Sequence, residues 1–104
     1  MSSSTTKTTE ALAKGVLVTD EALVVTLVDG RTVSVPVSWY PRLRHGSPEE
    51  RNEWRLIARG EGVHWPKLDE DISVEDLLAG RGSGEAQSSL RRWLESRREG
   101  QPPA

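Results

Sequence analysis

Apolar and polar side chains alternate most clearly between residues 22 and 37. Residues 22–28 are rich in β-branched types, and a period of two puts Leu23, Val25 and Leu27 on one face with Val24, Thr26 and Val28 behind them. Asp29-Gly30 follows, a dipeptide suited to the positive φ angles of a type I′ turn. Residues 31–37 then resume the alternation, with Val33, Val35 and Val37 on one side and Thr32 and Ser34 on the other. This pattern predicts a β-hairpin. Its buried face should carry Leu23, Val25, Leu27, Val33 and Val35, packed against a helix beginning at Pro48 and against the W-Y-P-R-L segment of residues 39–43. Residues 15–19 add a further strand through Asp20-Glu21, giving a three-stranded meander. Pro36 has no N–H and belongs at an edge or a strand end.

Helical signals follow the meander. Ser47 with Glu50 three residues on forms a capping box, and Pro48 suits the first helical position, so a helix starts there. Ser73 with Asp76 repeats the pattern ahead of Leu77-Leu78, and Gly80 stops that helix after about two turns. Residues 85–98 place Ala86, Leu90, Trp93 and Leu94 on one stripe, with Arg91, Arg92, Glu95, Arg97 and Arg98 mostly elsewhere. Such a helix must dock, and its own domain is the expected surface, which leaves the Arg91, Arg92, Arg97 and Arg98 side for an acidic partner. The expected organisation is therefore a disordered tail over residues 1–10, a domain over 11–80, a Gly-rich linker over 81–84, an amphipathic helix over 85–99 and a disordered tail over 100–104.

Composition narrows the classes of function. The 104 residues fit one domain with one core. Lys and Arg number 14 against 16 Asp and Glu, so a net charge of -2 provides no field that would collect nucleic acid or anionic lipid. Cysteine is absent, which removes disulfides, thiolate nucleophiles and thiolate metal sites and fits a reducing, cytoplasmic setting. No apolar run approaches the roughly 20 residues of a membrane-spanning helix, and residues 1–10 contain no apolar stretch of the kind a signal peptide needs. No membrane association is expected.

Five motifs occur in order: D-G-R, then V-P-V-S-W-Y-P-R-L at residues 35–43, E-E-R-N-E-W at 49–54, G-E-G-V-H-W-P at 60–66 and L-D-E-D-I-S-V-E-D-L-L at 68–78. Together they resemble the small bacterial family called domain of unknown function 2442, over residues 15–80 and weakly into 89–97. The resemblance implies a two-layer α+β domain with a strand after the first helix, so that residues 55–58 and 62–65 are extended. The expected fold class is thus α+β: an antiparallel three-stranded meander packed with short helices, an additional strand after the first helix, and a C-terminal amphipathic helix. The family supplies no established catalytic residues. Its members are often encoded beside another small protein, an arrangement suggestive of a toxin and antitoxin pair. Some relatives carry a helix-turn-helix domain after this one, for which this chain is too short.

Candidate chemistry is sparse. His64, Trp65, Asp69, Glu70 and Asp71 are the candidate functional residues, because an imidazole followed closely by carboxylates could serve a divalent metal or a general acid/base site. The plainer reading makes Asp69-Glu70-Asp71 a solvated turn whose charge favours the start of the helix near Ser73. His45 reads as a turn residue. Neither a nucleophile elbow nor a phosphate-binding loop occurs, and Gly80-Arg81-Gly82-Ser83-Gly84 lacks the Lys such a loop requires. No cofactor or metal is expected, and with no catalytic motif present an unidentified enzyme ranks third, behind a protein-interaction module and a nucleic-acid binder. Arg42, Arg44, Arg51, Arg55 and Arg59, interleaved with Trp39, Tyr40 and Trp54, form a candidate interaction surface together with Arg91, Arg92, Arg97 and Arg98. Interspersed Glu49, Glu50, Glu53 and Glu61 cancel much of that field, so nucleic acid is the weaker expectation and a protein partner or a second copy the stronger. Four Trp and no Phe make Trp39, Trp54, Trp65 and Trp93 the expected aromatic core, and any of them left exposed would mark a partner site.

Overall fold

The computed structural model describes residues 11–100; the expectations for residues 1–10 and 101–104 lie outside the described residues. The first sheet is the expected meander, β1 (Ala13–Val18), β2 (Ala22–Leu27) and β3 (Thr32–Pro36), antiparallel in the order β1-β2-β3. Val18, Leu23 and Val35 share one row across the sheet and Val16, Val25 and Val33 the next. Leu23, Val25, Leu27 and Val35 are buried as the alternation requires, whereas Val33, beside the turn on an edge strand, is only half-buried. A bulge at Lys14 shifts the register between Ala13 and Gly15, which lets both Ala13 and Val16 turn inward.

The turn between β2 and β3 differs from the expected type I′. Gly30 alone has a positive φ, 98°, and its N–H donates to the Leu27 carbonyl. The Leu27 N–H donates to Arg31 O, so three residues, Val28, Asp29 and Gly30, span the loop. This is a type I turn closed by a left-handed glycine. Asp29 stays at negative φ because its carboxylate accepts from the Arg31 backbone and side chain, a bond that holds the turn in this form.

A second sheet replaces the single extra strand. β4 (Arg55–Ile57), β5 (Gly62–Trp65) and β6 (Glu70–Ser73) pair antiparallel in the order β4-β5-β6. Glu70 and Asp71 are therefore strand residues, correcting the solvated-turn reading: of the acidic trio only Asp69 turns, at φ 53°. The charged run concealed the strand, because Ile72 and the inward-facing Glu70 are all the period-two signal it carries.

Four helices complete the described residues: α1 (Pro41–His45), α2 (Pro48–Asn52), α3 (Val74–Ala79) and α4 (Gln87–Gly100), with 3₁₀ turns at Val37–Trp39 and Ala58–Gly60. The capping box is formed as expected: Ser47 Oγ accepts from the Glu50 N–H at 3.1 Å, and the Ser47 N–H donates to Glu50 Oε1 at 2.9 Å. Ser73 caps α3, and Gly80 ends it in the left-handed region. The two sheets share one core, in which Leu23, Val25 and Leu27 meet Val63, Trp65 and Ile72, with Leu43 from α1 and Val74 and Leu77 from α3 filling between them. The second sheet and α1 thus cover the meander. α2, expected there as well, does pack against β1, although of its own side chains it buries only Arg51.

The aromatic core is also smaller than expected. Trp65 is fully buried at 0% exposure, its Nε1–H donating to Arg51 O at 3.0 Å, and Tyr40 is buried with its hydroxyl donating to Arg81 O at 2.8 Å. Trp54 and Trp93 pack at the margin, and Trp39 remains 36% exposed. Residues 81–84 lie along Trp39, whose carbonyl accepts from the Ser83 N–H at 2.9 Å. Among the described residues no helix is long and apolar enough to cross a membrane.

Candidate functional site: the outer face of the second sheet

Alternation sorts the second sheet into two faces. Leu56, Val63 and Ile72 share an inward row, and Trp65 pairs with Glu70 on the same side. The outward side carries two rows: Arg55, His64 and Asp71, then Ile57, Gly62 and Ser73. Of the five candidate functional residues, then, the fold separates Trp65 and Glu70, which face the core, from His64 and Asp71, which face outward, and from Asp69 at the turn.

His64 and Asp71 are directly opposed across β5 and β6, and His64 Nδ1 is paired with Asp71 Oδ1. That contact orients the ring and turns Nε2 away from the carboxylate. Among the described residues no group of three His, Cys, Asp or Glu side chains is placed to hold a metal ion. Glu70, enclosed on the core face, has its carboxyl pushed up to about 7, chiefly by loss of water, with Glu85, Asp71 and Asp69 adding repulsion and Arg42 opposing the shift.

The second outward row opens into a groove of about 820 Å³. Ile57, Gly62 and Ser73 come from the sheet, Leu78 and Ala79 from α3, and Ala11 and Ala58 close its ends. Gly62 is needed here: a Cβ at that position would lie 3.1 Å from Ile57 Cγ1, which rests across the bare backbone. Leu78 is 44% exposed. Two acidic residues, Glu61 and Glu75, belong to the walls, and the segments that carry them are joined by the bond from the Val74 N–H to Glu61 O at 2.9 Å. Neither forms an ion pair with a described cation. Ala58, Arg59 and Gly60 at the groove's margin hold φ of 52°, 59° and 98°. Three successive left-handed residues, two of them with a Cβ, store strain that the surrounding contacts must hold in place.

The arginines noted in the sequence divide by use. Arg51 is 6% exposed; its Nε donates to Leu43 O and its Nη2 to Arg44 O, both at 2.8 Å, while Nη1 meets Asp20 at 2.7 Å. Arg42 is gripped by Glu85 through Nε at 2.9 Å and Nη2 at 2.5 Å, and its Nη1 reaches Asp69 O at 3.2 Å. The Arg42 guanidinium accordingly holds the Glu85 carboxyl below the usual range. Arg97 was expected on the free side of α4, but its Nη2 donates to Glu50 Oε1 at 2.8 Å and lowers that carboxyl. Arg42 and Arg97 both lie over the Trp93 ring, at 4.8 and 4.7 Å from its centre. Arg44, Arg55, Arg59, Arg91, Arg92 and Arg98 are exposed and scattered over different elements.

Sequence reasoning missed the groove. One signal was available: Leu77 and Leu78 sit about 100° apart on a two-turn helix, so when one points to the centre of the core the other lies at the edge of the buried stripe. The other lining residues are small or acidic and carried no pattern.

Comparison with known proteins identifies the fold's relatives. The chain resembles a protein of unknown function from Rhodospirillum rubrum, seen in a crystal structure, with 26% identity and a TM-score of 0.62 over 73% of this chain and 94% of that one. The solution structure of an uncharacterised protein from Chromobacterium violaceum shares the fold at a TM-score of 0.61, with 24% identity over 78% of this chain and 75% of the other. No curated protein matches. The model of one family, described as a protein of unknown function (DUF2442), matches residues 13–83, which span both sheets and the first three helices, and the chain belongs to that family.

Proposed function

We propose that this chain is a protein-interaction module that receives its partner on the outer face of the second sheet. The observation that carries this reading is the groove beside Ile57 and Leu78, where a leucine 44% exposed stands over an apolar floor next to an edge strand. Leaving such a side chain in water forgoes burial worth up to about 2 kcal/mol, which a partner would recover. The frequent pairing of family members with a second small gene supports a binary complex, in which this chain would be one half of a toxin and antitoxin-like pair. The His64–Asp71 pair lies one strand row away from the groove and would contribute a polar contact at its border.

The test is co-expression with the product of the neighbouring gene, followed by sedimentation and titration of the purified components. A Leu78→Arg variant should melt within about 1 kcal/mol of the parent, since the side chain is exposed, yet bind at least tenfold more weakly. Unchanged affinity in that variant would remove the groove from the interface.

A further inference from the structure

The chemistry of the groove walls restricts what it can receive. Its floor is apolar, through Ile57, Ala58, Leu78 and Ala79, while the charged lining residues among those described are Glu61 and Glu75. Both residues are exposed, the Val74 N–H to Glu61 O bond joins the segments that carry them, and neither has a described cation as partner. Negative charges on the walls of an apolar groove repel an acidic occupant and favour a cationic one. We infer that the groove binds a basic segment of a protein partner, one in which a long apolar side chain enters between Ile57 and Leu78 while flanking Lys or Arg side chains meet Glu61 and Glu75.

This inference rests on the reading of the groove as a docking site, and the geometry supplies its finer terms. Gly62 has no Cβ and Ile57 lies across its backbone, so the apolar anchor meets the Ile57 side chain on the floor of the groove. The left-handed Ala58-Arg59-Gly60 turn fixes one wall in advance, because its strained backbone is over-determined by neighbours: a Cβ on Gly60 would fall 2.8 Å from Ala13 O. A wall fixed in this way costs little ordering when the partner arrives.

The probes are two pools of short synthetic peptides, each with a central Leu-Xaa-Leu, flanked by Lys in one and by Glu in the other. They are titrated into the isotopically labelled full chain and followed by backbone amide resonances. The Lys pool should move the resonances of Glu61, Gly62, Glu75 and Leu78 and bind about tenfold more tightly than the Glu pool, with the advantage shrinking as salt rises. A Glu61→Gln, Glu75→Gln double variant should erase the difference, and Leu78→Ser should weaken both pools. Equal binding of the two pools, or a double variant without effect while Leu78→Ser still matters, would overturn the basic partner but leave the docking site standing. Shifts confined to another face, or binding by neither pool, would remove both. Movement of the same resonances on simple dilution would give the groove to a second copy of the chain and overturn the inference.

Discussion

Replacing Arg51 by methionine tests the claim that this arginine belongs to the fold and not to a surface. In the native chain the guanidinium lies under the end of α1, where Leu43 O accepts from Nε and Arg44 O from Nη2, each at 2.8 Å. Leu43 O would retain a second donor, the Gly46 N–H at 3.1 Å, so methionine orphans only the Arg44 carbonyl outright. That orphan costs about 1–3 kcal/mol, and the second bond to Leu43 adds about 1 kcal/mol because its donor is charged. The ion pair with Asp20 contributes little, since the aspartate side chain is 92% exposed. Methionine preserves much of the packing, so the sum is about 2–4 kcal/mol, a large share of the roughly 5–10 kcal/mol available to a domain of this size. Urea unfolding followed by Trp fluorescence measures it as a lower midpoint at unchanged slope, with Asp20→Asn as a control expected to shift stability by less than about 0.5 kcal/mol. A methionine variant within about 0.5 kcal/mol of the parent would show that the α1 carbonyls do not depend on this side chain.

Two further outcomes follow from groups described above. Glu70 is neutral in both folded and unfolded chains at low pH; as pH rises from about 4.5 to about 7 the unfolded chain ionises first, so stability falls across that window and then levels. After discounting for partial exposure the loss is about 1–2 kcal/mol, and Glu70→Gln should remove it, measured as the difference between urea midpoints at pH 5 and pH 8; equal pH dependence in the two proteins would refute the burial argument. Gly60→Ala should lower stability by about 2–4 kcal/mol, because it combines a φ of 98° with a Cβ 2.8 Å from Ala13 O, and a melting temperature equal to the parent's would contradict that geometry.

The meander, its buried face, the capping box at Ser47 and the α3 boundaries were legible because each depends on neighbours in sequence: period-two alternation, a Ser three residues before a Glu, a glycine after two turns. β6 was not, because in Glu70-Asp71-Ile72-Ser73 the inward position nearest the turn is an acid, so the alternation is inverted at its first residue. Its burial is a tertiary fact, set by pairing with Trp65 and by Arg42 from a distant helix. The arginines were misleading for the same reason. Arg42 and Arg51 look identical in sequence to Arg44 and Arg55, and only long-range carbonyl and carboxylate partners withdraw the first two from the surface. The groove needs three segments far apart in the chain, and its one local sign was the pair of adjacent leucines on α3.

The way α4 is attached bears on how the protein comes apart. Its stripe is only half-buried at Leu90, Trp93 and Leu94 and exposed at Ala86, while its firm contacts are the Arg42–Glu85 and Arg97–Glu50 bonds with Trp93 held against both guanidiniums. Detaching the helix therefore withdraws Trp93 from the margin of the core but none of the fully buried residues shared by the two sheets. It should take up less heat capacity than melting the sheets, since less apolar surface is newly wetted. Calorimetry would then resolve two events in place of one cooperative transition: an early, shallow, salt-sensitive loss of α4 and a later, sharp melting of the double sheet. Glu50 links the two events, because its Oε1 serves both Arg97 and the Ser47 N–H, so loss of α4 should loosen the first turn of α2 before the rest of the domain yields.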